Sequence, residues 1–397
     1  MAHAPLNRLV VRTLALLALL SGLALPGARP VSATPVLTPA KAAAAQEISP
    51  PDTLVPGGVY NFITVNSMVF WFTHCRVGGT SFITSINRIP VQGGESRRLY
   101  LYNASDGCTS STFRSNIVAD ADYLYGTNDN GLVRLSTNAT VDDQPQVLSA
   151  AAAGSRELAI DNDVVYARHV SGQSPTNTYT STVQQIVKSD GTTTTLFSYA
   201  DRTYPKTLQV SHAFSEVSGA SDYLYWLEDG TLMRYNLNSG ALDAIASDVK
   251  SFHAEGGVTS CENLRCTTTD RVYFSDGQQV SYYSNDDGTT TPVYTAGFWL
   301  FGSRVVTVTT DGRHLFVMGL YTYANCARPG CLYYDVTEII RHGREASGKT
   351  EVLYNRVDNS WNLTIANGYL LWLDLERLQR LPTDVGLPHL YMPVIRR

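Results

Sequence analysis

Charge is scarce in this chain. Asp, Glu, Lys and Arg make up 16% of 397 residues, and 30 basic side chains face 35 acidic ones. A net charge of −5 argues against nucleic acid or an anionic membrane surface as partner. Long apolar runs are missing as well. Leu14–Leu25 is a short one, below the length of a membrane span, so no membrane insertion of the mature chain is expected. No two of the six cysteines show the two-residue gap that structural zinc favours, and no histidines cluster beside them. No Gly-x-Ser-x-Gly elbow surrounds a serine, and no aspartate run has calcium-loop spacing. Neither a metal nor a cofactor is implied.

The first residues carry an address. Arg8 and Arg12 precede the apolar run, and Val31-Ser32-Ala33 offers a small-residue cleavage site, so residues 1–33 are expected to be a signal peptide. Removing Arg8, Arg12 and Arg29 leaves 27 basic against 35 acidic residues, net −8. Residues 34–58 are rich in Pro and Ala without periodicity and read as a flexible linker. The expected location is secreted, extracellular or periplasmic.

An exported chain uses cysteines as bridges, and six allow fifteen pairings. Cys261 with Cys266 and Cys326 with Cys331 each look like a local staple, which leaves Cys75 with Cys108.

The most regular stretch is Ser221–Ser247. Tyr223, Tyr225 and Leu227 alternate with Leu224, Trp226 and Glu228, the period of a strand. Asp229-Gly230 supplies a tight hairpin turn, Thr231–Leu237 a partner strand, and Leu242–Ala246 a third strand. Paler copies recur at residues 68–74, 122–127, 163–169, 271–275, 313–318 and 368–374. With Phe70, Tyr125, Tyr166, Tyr225, Phe274, Phe316 and Leu371 taken as equivalent, the gaps are 55, 41, 59, 49, 42 and 55 residues. That is the length of a four-stranded propeller blade with variable loops. The expectation is an all-β, seven-bladed β-propeller of four-stranded antiparallel blades over residues 59–397. Six or eight blades stay open, and a pair of β-sandwiches is the structural alternative. Either Pro388–Ile395 or the segment before Tyr60 would close the ring.

Residues 222–240, DYLYWLEDGTLMRYNLNSG, resemble the YWTD-type repeats of lipoprotein-receptor propellers and the TolB-like bacterial propellers. Tyr-Trp-Thr-Asp itself never occurs intact. The resemblance implies a fold and carries no functional residues across. Ser284–Thr290 is similar to the Asp-box of sialidase propellers, but Thr291-Pro292 replaces its closing aromatic, which favours a structural turn.

Long connections break the rhythm at residues 169–182, 212–220, 254–270 and 321–331. Those after the second strand of a blade share one face with Cys75, and the candidate ligand-binding aromatics gather there: Tyr179, Trp299, Tyr321 and Tyr323. Second-strand ends bring His74, Asn128, Asp129, His169, Glu228, Asp229, Asp276 and Asp374 to the same face, where turn chemistry accounts for most of the Asp and Asn. The expected function is a monomeric binding or scaffolding module for an extracellular glycan, peptide or cell-surface protein. The alternative is a propeller enzyme, a hydrolase or metal-assisted lyase, with His74 and His169 as its catalytic candidates.

Overall fold

The computed structural model describes residues 51–77, 80–102, 113, 116–155, 157–171, 179–201, 206–211, 223–262, 265–296, 304–328, 330–344, 347–356 and 360–384. The expected signal peptide lies outside them, as do Cys108 and Trp299. Among the described residues no helix is long and apolar enough to cross a membrane.

Strand β1 (Asp52–Val55) stands apart from the first blade. Blade 1 follows as β2 (Asn61–Val65), β3 (Met68–Val77), β4 (Thr80–Pro90) and β5 (Arg97–Leu101). Blade 2 is β6 (Ile117–Ala119), β7 (Tyr123–Asn128), β8 (Gly131–Ser136) and β9 (Gln146–Ser149). Blade 3 is β10 (Glu157–Ile160), β11 (Val164–Ser171), β12 (Tyr179–Val187) and β13 (Thr193–Asp201). Blade 4 is β14 (Lys206–Ser211), β15 (Tyr223–Glu228), β16 (Thr231–Asn236) and β17 (Leu242–Ala246). Blade 5 is β18 (Ser251–Glu262), β19 (Arg265–Ser275), β20 (Gln279–Ser284) and β21 (Thr290–Thr295). Blade 6 is β22 (Arg304–Thr310), β23 (His314–Arg328), β24 (Gly330–Gly343) and β25 (Thr350–Arg356). Blade 7 is β26 (Ser360–Ala366), β27 (Tyr369–Asp374) and β28 (Arg377–Pro382), completed on its outer edge by β1.

The expected seven-bladed propeller is therefore present, and the segment before Tyr60 closes it. β1 pairs antiparallel with β28, Asp52 opposite Arg380 and Thr53 opposite Gln379. This strand falls inside residues 34–58, the stretch expected to be a linker. Composition hid it, since four strand residues behind a Pro- and Ala-rich run carry almost no period. Inner strands touch in sequence from β2 to β26, and β26 touches β2. Closure of this kind leaves no blade face bare.

One apolar core lies at each of the seven blade junctions. Burying each Leu- or Phe-sized side chain there contributes about 1.5–3 kcal/mol. Tyr166 packs with Leu224 and Trp226 of blade 4, and Tyr225 packs with Phe252 and Val272 of blade 5. Six of the seven residues taken as equivalent face the following blade in this way. Phe274 departs: it packs back against blade 4, and Tyr273 holds the forward place.

The hairpin turns follow their sequences. Asp229-Gly230 and Asn367-Gly368 adopt positive φ at both residues, as a two-residue primed turn requires. Two long connections differ from expectation. Residues 254–270 and 321–331 are mostly paired strand, not loop. β18 and β19 run together to Glu262 opposite Arg265, and β23 and β24 to Arg328 opposite Gly330. Their Thr, Val and Tyr content suits a twisted ribbon, so the ladder continues past the blade. β23–β24 and the extended β3–β4 hairpin leave on one face, and β18–β19 leaves on the other.

A recurrent arginine ties blade to blade. Arg88, Arg134, Arg234, Arg341 and Arg380 each sit on a third strand opposite the forward-facing residue of the second, namely Phe70, Tyr125, Tyr225, Phe316 and Leu371. Arg88 donates to Thr137 O (2.8 Å), Arg134 to Lys188 O (3.0 Å) and Arg234 to Asn285 Oδ1 (2.6 Å). Arg341 donates to Thr383 O (2.7 Å) and Arg380 to Val91 O (2.6 Å). Every acceptor lies just after the third strand of the next blade. Between blades 5 and 6 the cation comes from the other side: Arg344 Nε donates to Tyr273 Oη at 3.2 Å, and its Nη2 pairs with Glu255.

Candidate functional site: a cleft between blades 5 and 6

The cleft opens on the face that carries the β3–β4 and β23–β24 hairpins. Blade 5 contributes Tyr294 and Ala296 at the end of its outer strand. Blade 6 contributes Arg304 and Val305 from β22, Val317, Gly319, Leu320 and Tyr321 from β23, and Glu338 and Ile340 from β24. It is narrow, about 340 Å³ with the solvent at its mouth included. Register explains the convergence, because Gly319 lies opposite Glu338 and Arg304 opposite Leu320. At Gly319 no side chain fills the space between the Arg304 and Glu338 backbones.

The polar groups of the cleft are linked. Asn355 of β25 donates through Nδ2 to Tyr321 Oη (3.1 Å) and to Glu338 Oε1 (3.3 Å). Burial pushes the Glu338 carboxyl above its ordinary pKa, and the Asn355 amide opposes that in part. Burial, reinforced by the Glu338 charge, raises the Tyr294 phenol to about 12. Tyr321 is raised too, first by burial. Two protonated phenols, a carboxyl biased toward its neutral form and an amide make a set of donors and acceptors between apolar walls. Such a set suits hydroxyls or amides of a ligand better than a bare charge.

Of the residues picked from sequence, Tyr321 lies in this cleft, 7% exposed. Tyr323 follows on β23, with its Cα opposite Tyr334. Tyr179 opens β12, half-buried and opposite Asp201. Trp299, in the sequence between β21 and β22, lies outside the described residues. Glu338, Tyr294 and Asn355 went unremarked in the sequence. A lone carboxylate in the otherwise uncharged run Val336–Ile340 is the signal that could have found Glu338.

The two histidines sit in different blades. His74, on β3, stacks on Tyr60 with ring centroids 3.8 Å apart. His169, on β11, has a buried Nδ1 with no hydrogen-bond partner and lies beside Gly154. Among the described residues no group of three His, Cys, Asp or Glu side chains is placed to hold a metal ion. Two rim residues act as turn caps: Asn128 Oδ1 accepts the Asn130 amide (2.8 Å), and Asp276 Oδ1 accepts those of Gln278 and Gln279 (2.7 Å each). The turn 284–290 also has a structural task. Asn285 donates to Tyr225 Oη at 2.6 Å while accepting from Arg234.

No known family description matches the sequence, and no curated protein does either. Solved structures resemble it in fold. Virginiamycin B lyase from Staphylococcus aureus aligns over 84% of this chain and 98% of its own, with 12% identity and a TM-score of 0.50. The extracellular domain of the hybrid two-component system BT4673 from B. thetaiotaomicron aligns over 83% of this chain and 39% of its own, with 11% identity and a TM-score of 0.42. The WD40 domain of SCAP from fission yeast aligns over 84% and 97%, with 10% identity and a TM-score of 0.40. Identities this low speak to the fold alone.

Proposed function

We propose that this chain is a secreted, monomeric binding or scaffolding module that grips an extracellular glycan, peptide or cell-surface protein on its long-hairpin face. The observation that carries the reading is the cleft between blades 5 and 6, where Tyr294, Tyr321 and Glu338 meet under the β23–β24 ribbon. Tyr179, Trp299 and Tyr323 would extend the contact. Rigid aromatics beside hydrogen-bonding groups supply contact area at low entropic cost.

Disulfides would hold the projecting hairpins. Cys261 and Cys266 are direct partners across β18–β19, and Cys326 and Cys331 flank the Asn325–Leu332 pair of β23–β24. Cys75 would pair with Cys108. Closing a loop of that size stabilises by roughly 3 kcal/mol.

The test is a glycan and peptide array probed with the mature chain and with Trp299→Ala/Tyr323→Ala. Specific hits that the double variant loses support the reading. Hits that survive it remove this face from consideration. The enzyme reading, centred on His74 and His169, predicts instead a divalent-metal-dependent rise in melting temperature that His74→Ala/His169→Ala abolishes.

A further inference from the structure

We propose that the junction of blades 3 and 4 binds a small carboxylate, held bidentate on the Nε and Nη2 edge of Arg168. This junction differs from the other six. Gln185 occupies the place opposite Tyr166 where five other blades carry the bridging arginine. An arginine is present nonetheless, one step further along the second strand toward the long-hairpin face. It shares the side of the sheet on which Tyr166 and Val183 pack against Leu224 and Trp226.

Arg168 is 0% exposed. Its recorded hydrogen bond runs from Nη1 to Tyr199 Oη, at a long 3.4 Å, while Nε and Nη2 have no partner. Glu157 lies opposite Arg168 in the β10–β11 register, and its Oε2 accepts from Asn116 at 3.2 Å. Tyr199 lies near Trp226 with ring centroids 5.7 Å apart, and the Trp226 Nε1 is also buried without an acceptor. Ser181, on the same side of β12, adds a hydroxyl in the same condition.

Buried polar atoms without partners therefore gather at this junction, most of them donors. A guanidinium kept from water is tolerated only when it is paired and hydrogen-bonded. The two unpartnered nitrogens are those whose N–H bonds point the same way, the fork that matches both oxygens of a carboxylate. A single-atom halide would satisfy that fork less well.

Thermal unfolding of the mature chain in sodium formate and in sodium chloride, at equal ionic strength, tests the proposal. Formate should raise the melting temperature of the wild type by about 2 °C or more. The rise should vanish in Arg168→Met, which keeps the bulk and removes the fork. Equal melting temperatures in the two salts, or a formate effect that survives in Arg168→Met, overturn it. A crystal structure of the wild type soaked in formate serves should the variant fail to fold. Planar density bridging Nε and Nη2 supports the site, and water alone on those atoms overturns it.

Discussion

Arg380 in the last blade donates from Nη1 to the carbonyl of Val91 in the first, joining residues 289 apart in sequence at 2.6 Å. The same guanidinium reaches Asp52 of β1 at 3.2 Å and lies over the ring of Tyr369. Arg380→Ala should therefore lower stability by about 2 kcal/mol, the scale of a hydrogen bond to a charged donor plus the acceptor left behind. Asp52→Ala should cost far less, because that carboxylate is 71% exposed and its ion pair is screened by water. Urea unfolding of the two variants against the wild type checks both.

Removing β1 should do more than removing any one side chain. Val55 belongs to the core between blades 7 and 1, and β1 covers the outer edge of β28. A chain beginning at residue 51 should unfold in one step near the wild-type temperature. One beginning at residue 57 should melt roughly 10 °C lower or aggregate, as an opened ring exposes an edge. Calorimetry of the two truncations distinguishes them.

Glu338 makes the cleft pH-sensitive. Its folded pKa is raised by burial, so the folded state favours the protonated form, and stability falls as pH rises through that raised value. Glu338→Gln is neutral throughout and keeps an acceptor for Asn355. The variant should match the wild type in mild acid and exceed its melting temperature in mild alkali.

Glu351 has the opposite sign. Hydrogen bonds from Lys349 (2.7 Å) and Arg341 hold its pKa down to about 2. The stability it supplies is present above the ordinary glutamate pKa and is lost as pH falls toward about 2. Glu351→Gln should lower the melting temperature at neutral pH and converge on the wild type in strong acid. Because Glu351 also steadies the Arg341 bridge to Thr383, its loss should loosen blade 7 in hydrogen exchange before the other blades.

Much of the ring was legible because its information is local. The second strands announced themselves by alternation, and the turns by Asp-Gly and Asn-Gly. What escaped depends on register across distance. The bridging arginines stand nine residues after Tyr125, Tyr225 and Leu371, but 18 after Phe70 and 25 after Phe316, since long hairpins intervene in blades 1 and 6. In blade 5 the alternation of Val272–Ser275 is apolar on both sides, so Phe274 and Tyr273 were interchangeable from sequence. The aromatic half of the candidate site was visible as Tyr321. Glu338 and Tyr294 belong to strands 44 residues apart in sequence and meet only once two blades dock.

The most direct measurement is hydrogen exchange of the mature chain with and without the strongest hit from the array. A binding surface on the long-hairpin face predicts slowed exchange in Tyr321–Arg328, Gly330–Thr337 and Thr290–Thr295, with the β18–β19 hairpin unchanged. Protection confined to the β18–β19 hairpin on the opposite face would contradict it.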